Sequence, residues 1–212
     1  MHQNNNIVYR GKKLEEAGKV LIMLHGRGAS AEDILSLSSY FKLNDDFAII
    51  APQATNHTWY PYSFLAEPSQ NEPFLSSAIE LLNGIVNDVV SKGIAKEKIY
   101  FLGFSQGACL TLEFVARYAT RWGGAIAFTG GLIGDKLYAE KYKGDFAGTP
   151  IFIGTSDPDF HVPVQRVKDS TSLLTKINAN VKEIVYKDMG HTIIQEEIDW
   201  ANKWVLNNNQ NV

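Results

Sequence analysis

Cysteine is almost missing from this 212-residue chain, which holds Cys109 alone. One thiol closes no internal disulfide, and it builds neither a cysteine zinc site nor a dithiol redox pair. Long apolar runs are also lacking: no uncharged stretch approaches the roughly 20 residues that a membrane helix needs, so stable membrane insertion is not expected. Nor does one sign of charge dominate. Twenty basic and 23 acidic side chains leave a net charge of -3 without like-charge blocks, which gives no footprint for nucleic acid or an anionic membrane. The five histidines form no HExxH or similar spaced set, so neither a metal nor another cofactor is expected. A small, roughly neutral substrate and a reducing, cytoplasmic setting fit these absences.

What is present is a core. A hydrophobic content of 45% over this length supports one domain spanning residues 1–212, with the polar ends "MHQNNN" (1–6) and "NNNQNV" (207–212) read as frayed tails. Short β-rich runs at 20–24, 47–50, 98–102, 124–128, 150–154 and 182–187 alternate with amphipathic stretches at 31–41, 74–91, 105–118, 163–178 and 192–206. That alternation predicts an α/β fold with a mostly parallel central sheet and helices on both faces. Residues 7–11 can add an antiparallel edge strand. The segment 51–73 is a long irregular stretch rich in Pro, Asn and aromatics, and ordered loops of that length commonly border an active site.

The most informative stretch is "GFSQGA" (103–108), at the junction of a predicted strand and a predicted helix. It completes GxSxG with Gly103, Ser105 and Gly107. A sharp strand-to-helix turn has no room for side chains beside the serine, and it aims the hydroxyl above the C-terminal edge of the sheet. Alone, the pattern also describes a turn serine. A serine nucleophile needs a base and an orienting acid, and both occur downstream. His191 in "MGHT" follows the strand 182–187, and Asp157 and Asp159 in "SDPDFHVP" follow the strand 150–154. Ser, Asp, His is the chain order of α/β-hydrolases.

Together "LHGRG" (24–28), "APQ" (51–53), "TWY" (58–60), "GFSQGA", "PIFIGTSDPDFHVP" (150–163) and the Gly190-His191 pair resemble the phospholipase/carboxylesterase family of α/β-hydrolases, which includes the acyl-protein thioesterases. The resemblance runs from residue 20 to 206. It implies an α/β-hydrolase fold without a large cap domain, and hydrolysis of carboxylic esters or thioesters by Ser105, His191 and an aspartate. Family members read as proline, an apolar strand, then HGxxDxxVP. Matched without gaps, that pattern assigns the acid to Asp159 and leaves Asp157 to a turn, although Thr155 and Ser156 stand where His and Gly are usual.

The resemblance further implies an oxyanion hole made by the backbone N–H groups of Gln106 and Arg27, with Ala29 where relatives often carry Asp. Trp59, Tyr60 and Phe64, with His25, are expected at the substrate. "WYPY" stands here where relatives commonly have Trp-Phe-Asp. His25 is expected chiefly to orient its loop, and His161 is a weaker rival to His191 as base. His2 and His57 are expected at the surface and Cys109 in the core. Partners implied are a small-molecule or lipid ester or thioester, with the protein a monomer or weak homodimer. Two other readings remain open at this point: a catalytically silent relative that only binds a ligand or partner, and a lactone or amide hydrolase on the same scaffold.

Overall fold

The computed structural model describes residues 1–2 and 6–206. Seven strands form one sheet: β1 (Ile7–Gly11), β2 (Lys19–Leu24), β3 (Phe47–Pro52), β4 (Ile99–Phe104), β5 (Gly124–Phe128), β6 (Pro150–Asp157) and β7 (Asn180–Lys187). Their order is β1-β3-β2-β4-β5-β6-β7. Every pairing is parallel except β1 with β3, which is antiparallel, as expected for the edge. Five α-helices follow the strands: α1 (Ala31–Ser36), α2 (Phe74–Ser91), α3 (Gln106–Arg117), α4 (Val164–Lys176) and α5 (Gln195–Ala201). This is an α/β-hydrolase fold without a large cap.

Period-2 alternation decides which core each strand residue joins. Val20, Ile22 and Leu24 of β2 face the layer built with α2, α3 and α4. Leu21 and Met23 face the opposite layer, which α1 and α5 close. All five are fully buried, so β2 is apolar throughout, as a central parallel strand must be. Burying such side chains contributes about 1.5–3 kcal/mol each.

The expected helix 74–91 has those bounds, and the other four shorten. The predicted 31–41 segment is helical only to Ser36 and continues as a 3₁₀ turn, Leu37–Tyr40. Its serines are responsible: Ser36 Oγ donates to Asp33 O and Ser39 Oγ to Ser36 O, competing with the backbone for the carbonyls that a further α turn would use. The last helix starts at Gln195, where the Ile194 N–H donates to the Glu197 carboxylate at 3.0 Å. Residues 192–194 therefore belong to the loop that carries His191.

Of the polar start of the chain, Met1, His2 and Asn6 are bonded to the body, Met1 O accepting from Thr55 Oγ1. The His2 amide donates to Ser77 Oγ, its ring bridges the Thr55 N–H and Trp59 O, and Asn6 O accepts from Gln53 N. His2 is half-buried against Trp59, not a free surface residue. The other tail residues, 3–5 and 207–212, lie outside the described residues. Among the described residues no helix is long and apolar enough to cross a membrane.

Candidate active site

Ser105 sits between β4 and α3 with φ 54° and ψ -117°, a conformation that costs an L-residue on the order of 1–3 kcal/mol. Its surroundings enforce it. The Ser105 N–H donates to Phe128 O of the neighbouring β5, while α3 must begin directly beneath the end of β2. A Cβ on Gly107 would collide with the Leu24 carbonyl, and one on Gly103 with the Gly107 carbonyl. The two glycines are thus required by close backbone approach, which is what the GxSxG spacing predicts.

The turn projects Ser105 Oγ to within 2.8 Å of His191 Nε2, although the two residues are 86 positions apart. On the far side of the imidazole, Nδ1 lies 2.8 Å from Asp159 Oδ2. It is Asp159 and not Asp157 that reaches His191; Asp157 is exposed at the end of β6. The Asp159 carboxylate is fully buried, and its other oxygen accepts from the amides of His161 and Val162 at 2.7 and 2.9 Å. Burial pulls its pKa upward, but the bonds from His191 and from these two amides outweigh burial and hold it below the usual carboxylate range. Aspartate stays ionised, so Nδ1 carries a proton and the Nε2 lone pair faces the Ser105 hydroxyl. Such an array can move a proton from the hydroxyl to the ring.

Two contacts at His191 are not evident from sequence patterns. Its ring is flanked by Phe104 and His161, with centroids 5.2 and 4.9 Å away. Ser156, which departs from the usual glycine, has a hydroxyl that accepts from the Gly190 N–H at 2.9 Å and donates to Pro158 O. It ties the histidine loop to the aspartate loop. The sequence signal for this was Ser156 standing where the family pattern usually has glycine.

Opposite His191, the loop 25–29 covers Ser105: a Cβ on Gly26 would lie 3.6 Å from Ser105 Cβ. His25 is fully buried and holds this loop. Its Nε2 accepts from the Ala54 N–H and its Nδ1 donates to Gly26 O. Burial depresses its pKa, keeping it neutral and suited to orienting the loop. Trp59 is likewise fully buried, donating Nε1–H to His25 O and packing on the imidazole at 5.0 Å.

A cleft of about 590 Å³ opens over Ser105 and His191. Of the expected substrate residues, Tyr60 and Phe64 line it; Trp59 and His25 do not, because both lie beneath the lining in the core. Arg27 and Gln106 line it, as do Tyr62, His161 and Cys109. Burial pushes the Cys109 thiol up to about 12, which keeps it protonated and unreactive. Among the described residues that line the cleft, Arg27 alone has a permanent charge. His57 is exposed, as expected. Among the described residues no group of three His, Cys, Asp or Glu could hold a metal ion.

This geometry agrees with the comparisons with known proteins. A phospholipase/carboxylesterase from Dyadobacter fermentans has a crystal structure that superposes with a TM-score of 0.94, at 51% identity over 97% of both chains. Acyl-protein thioesterase 1 of Kluyveromyces lactis is 27% identical, with 91% of this chain and 93% of that protein covered. A probable carboxylesterase of Oryza sativa subsp. japonica is 25% identical over 66% of this chain, and the match spans only 60% of the rice protein, less than two thirds of its length. The family model described as Phospholipase/Carboxylesterase matches residues 4–208. The chain therefore belongs to the phospholipase/carboxylesterase family of α/β-hydrolases.

Proposed function

We propose that this protein is a serine hydrolase that cleaves carboxylic esters or thioesters through an acyl-enzyme. The observation that carries the reading is the continuous path Ser105 Oγ, His191 Nε2, His191 Nδ1, Asp159 Oδ2, with both hydrogen bonds at 2.8 Å. In this mechanism Ser105 Oγ attacks the acyl carbon while His191 Nε2 takes its proton. Asp159 holds the productive tautomer and stabilises the imidazolium. The tetrahedral oxyanion is met by the backbone N–H groups of Gln106 and Arg27. Gln106 opens α3, where first-turn amides have no intrahelical acceptor. The imidazolium then protonates the departing alcohol or thiol, and water activated by the same histidine releases the acid.

The aromatic cleft suits the acyl portion of a small-molecule or lipid ester. A location in the cytoplasm and a monomeric or weakly dimeric state complete the reading.

The direct experiment is intact-mass analysis after exposure to a fluorophosphonate. Wild type is expected to gain one adduct, while Ser105→Ala and His191→Ala gain none. A folded wild type that takes no adduct would defeat the hydrolase reading.

A further inference from the structure

Arg27 has a second feature, distinct from its backbone N–H. Its side chain is exposed at the cleft, and among the described residues its bonds go to a hydroxyl and to carbonyls, not to an acidic side chain. Nη1 donates to Thr58 Oγ1 and Pro61 O, both at 2.9 Å, and Nη2 donates to Tyr60 O at 2.9 Å and Tyr62 O at 2.8 Å. Three consecutive carbonyls thus converge on one guanidinium. Carbonyl oxygens gathered this way repel one another unless a cation sits among them, and only a planar fork with several N–H donors can serve them all.

The same segment holds the other proposed oxyanion donor. Gln106 Oε1 accepts from the Trp59 N–H at 2.9 Å, and Gln106 Nε2 donates to Tyr60 O at 2.8 Å. Tyr60 O is therefore shared by Arg27 and Gln106. Two further bonds stitch the loops together, Gly28 N–H to His57 O and His57 Nδ1–H to Ala29 O. The aromatic segment is a clamp between the two residues whose amides are the proposed oxyanion donors.

We propose that Arg27 is a positioning residue: its guanidinium gathers the Thr58–Tyr62 segment, which Gln106 also grips, and this fixes the two oxyanion donors relative to each other and to Ser105. The inference rests on the hydrolase reading above. Backbone donors act only where they already point at the developing charge, so loosening the clamp weakens the transition state more than the ground state. The loss must then fall on kcat, and it must appear even with an acyl group too short to fill the aromatic wall.

The test is steady-state kinetics of wild type, Arg27→Ala and Arg27→Lys on p-nitrophenyl acetate and octanoate, with thermal melts to establish folding. We expect both variants to lose about tenfold or more in kcat on the acetate ester, a size typical of a small misplacement of catalytic groups. Lysine is expected not to restore the rate, because a point charge cannot serve four acceptors. Should Arg27→Ala fail to fold, Arg27→Lys alone supplies the measurement. A folded variant with kcat within about twofold of wild type, a loss confined to KM, or full rescue by lysine would overturn the proposal. An inactive wild type that no fluorophosphonate labels would instead remove the hydrolase reading, so the two failures are distinct.

Discussion

The two walls of the cleft are built differently. On the wall that carries Arg27 and Gln106, the supporting residues are deeply buried, with His25 and Trp59 at 0% exposure and Tyr60 at 1%, and side chains and backbone cross-link every segment. On the His191 wall, Asp157, Phe160, His161 and Gly190 are all exposed. That wall hangs on the three bonds to the Asp159 carboxylate and on the Ser156 hydroxyl. The proposed chemistry accounts for the difference. Donors for an oxyanion act by being fixed before charge develops, whereas the imidazole needs its tautomer and orientation held, a task that one buried carboxylate can perform. Cross-links are concentrated where preorganisation matters, and the exposed wall is held by fewer polar contacts.

The strongest way to break this comparison is at Asp159. Oδ1 is occupied by two amide donors, so in Asp159→Asn the side-chain oxygen must take that place and the NH₂ must face His191 Nδ1. The histidine is then forced into the tautomer with its proton on Nε2, facing Ser105. A loss of about 10⁴ in kcat is expected, the scale of a wrong-tautomer triad, while Asp157→Asn stays within about twofold. Equal losses in the two variants would contradict the geometry.

Behind the same wall lies a group that bears on stability. Glu197 is fully buried, and burial raises its pKa to about 7, only partly offset by the bond from the Ile194 amide. The raised folded value means that the folded protein binds the extra proton between about pH 4.5 and 7, so stability falls as pH rises through that window. Above it, the buried charge costs on the order of 3 kcal/mol. Glu197→Gln keeps an oxygen for the Ile194 N–H and removes that charge. Its melting temperature is expected to exceed that of wild type by about 5–10 °C at pH 8, and the gap should close near pH 5. A difference that does not vary with pH would mean that Glu197 is paired in some other way.

Much of this organisation was legible beforehand because it follows from short-range rules. The strands of the central sheet and the GxSxG elbow are set by periodicity and by glycine sterics, whereas the Ser, Asp, His order and the choice of Asp159 were implied by the family resemblance, matched without gaps from Pro150 to Pro163. What escaped depends on distant atoms meeting. Trp59 reads as a pocket aromatic, yet its indole N–H is claimed by His25 O and draws the ring into the core, leaving Tyr60 and Phe64 at the cleft. The bonds of the Arg27 guanidinium span 31 to 35 positions, and no local pattern encodes them. Ser156 was visible only as a departure from glycine, with no hint that its hydroxyl would bridge two loops.

Ser156 also supplies a finer probe of the sparsely tied wall. Ser156→Ala leaves the Gly190 amide without its acceptor, but Gly190 is exposed and water can replace the hydroxyl, so stability should change by no more than about 1 kcal/mol. Its consequence lies in the histidine loop, where a loosened Gly190 lets His191 drift from Ser105. A fall in kcat of about three- to tenfold is expected, with KM nearly unchanged.

The smallest effect is expected from the most conspicuous side chain. Phe160 is 97% exposed, although it sits between Asp159 and His161. The turn around it is closed by the Asp159 carboxylate accepting the His161 and Val162 amides, bonds to which the phenyl ring contributes nothing. Phe160→Ala should therefore leave kcat/KM on p-nitrophenyl acetate within about twofold of wild type, since surface changes away from any bonded feature stay near ±0.5 kcal/mol. If the acetate ester were hydrolysed tenfold more slowly, the ring would have to fold over the cleft when substrate binds. The exposed wall would then be the one that closes, and the difference between the two walls would extend from cross-linking to substrate capture.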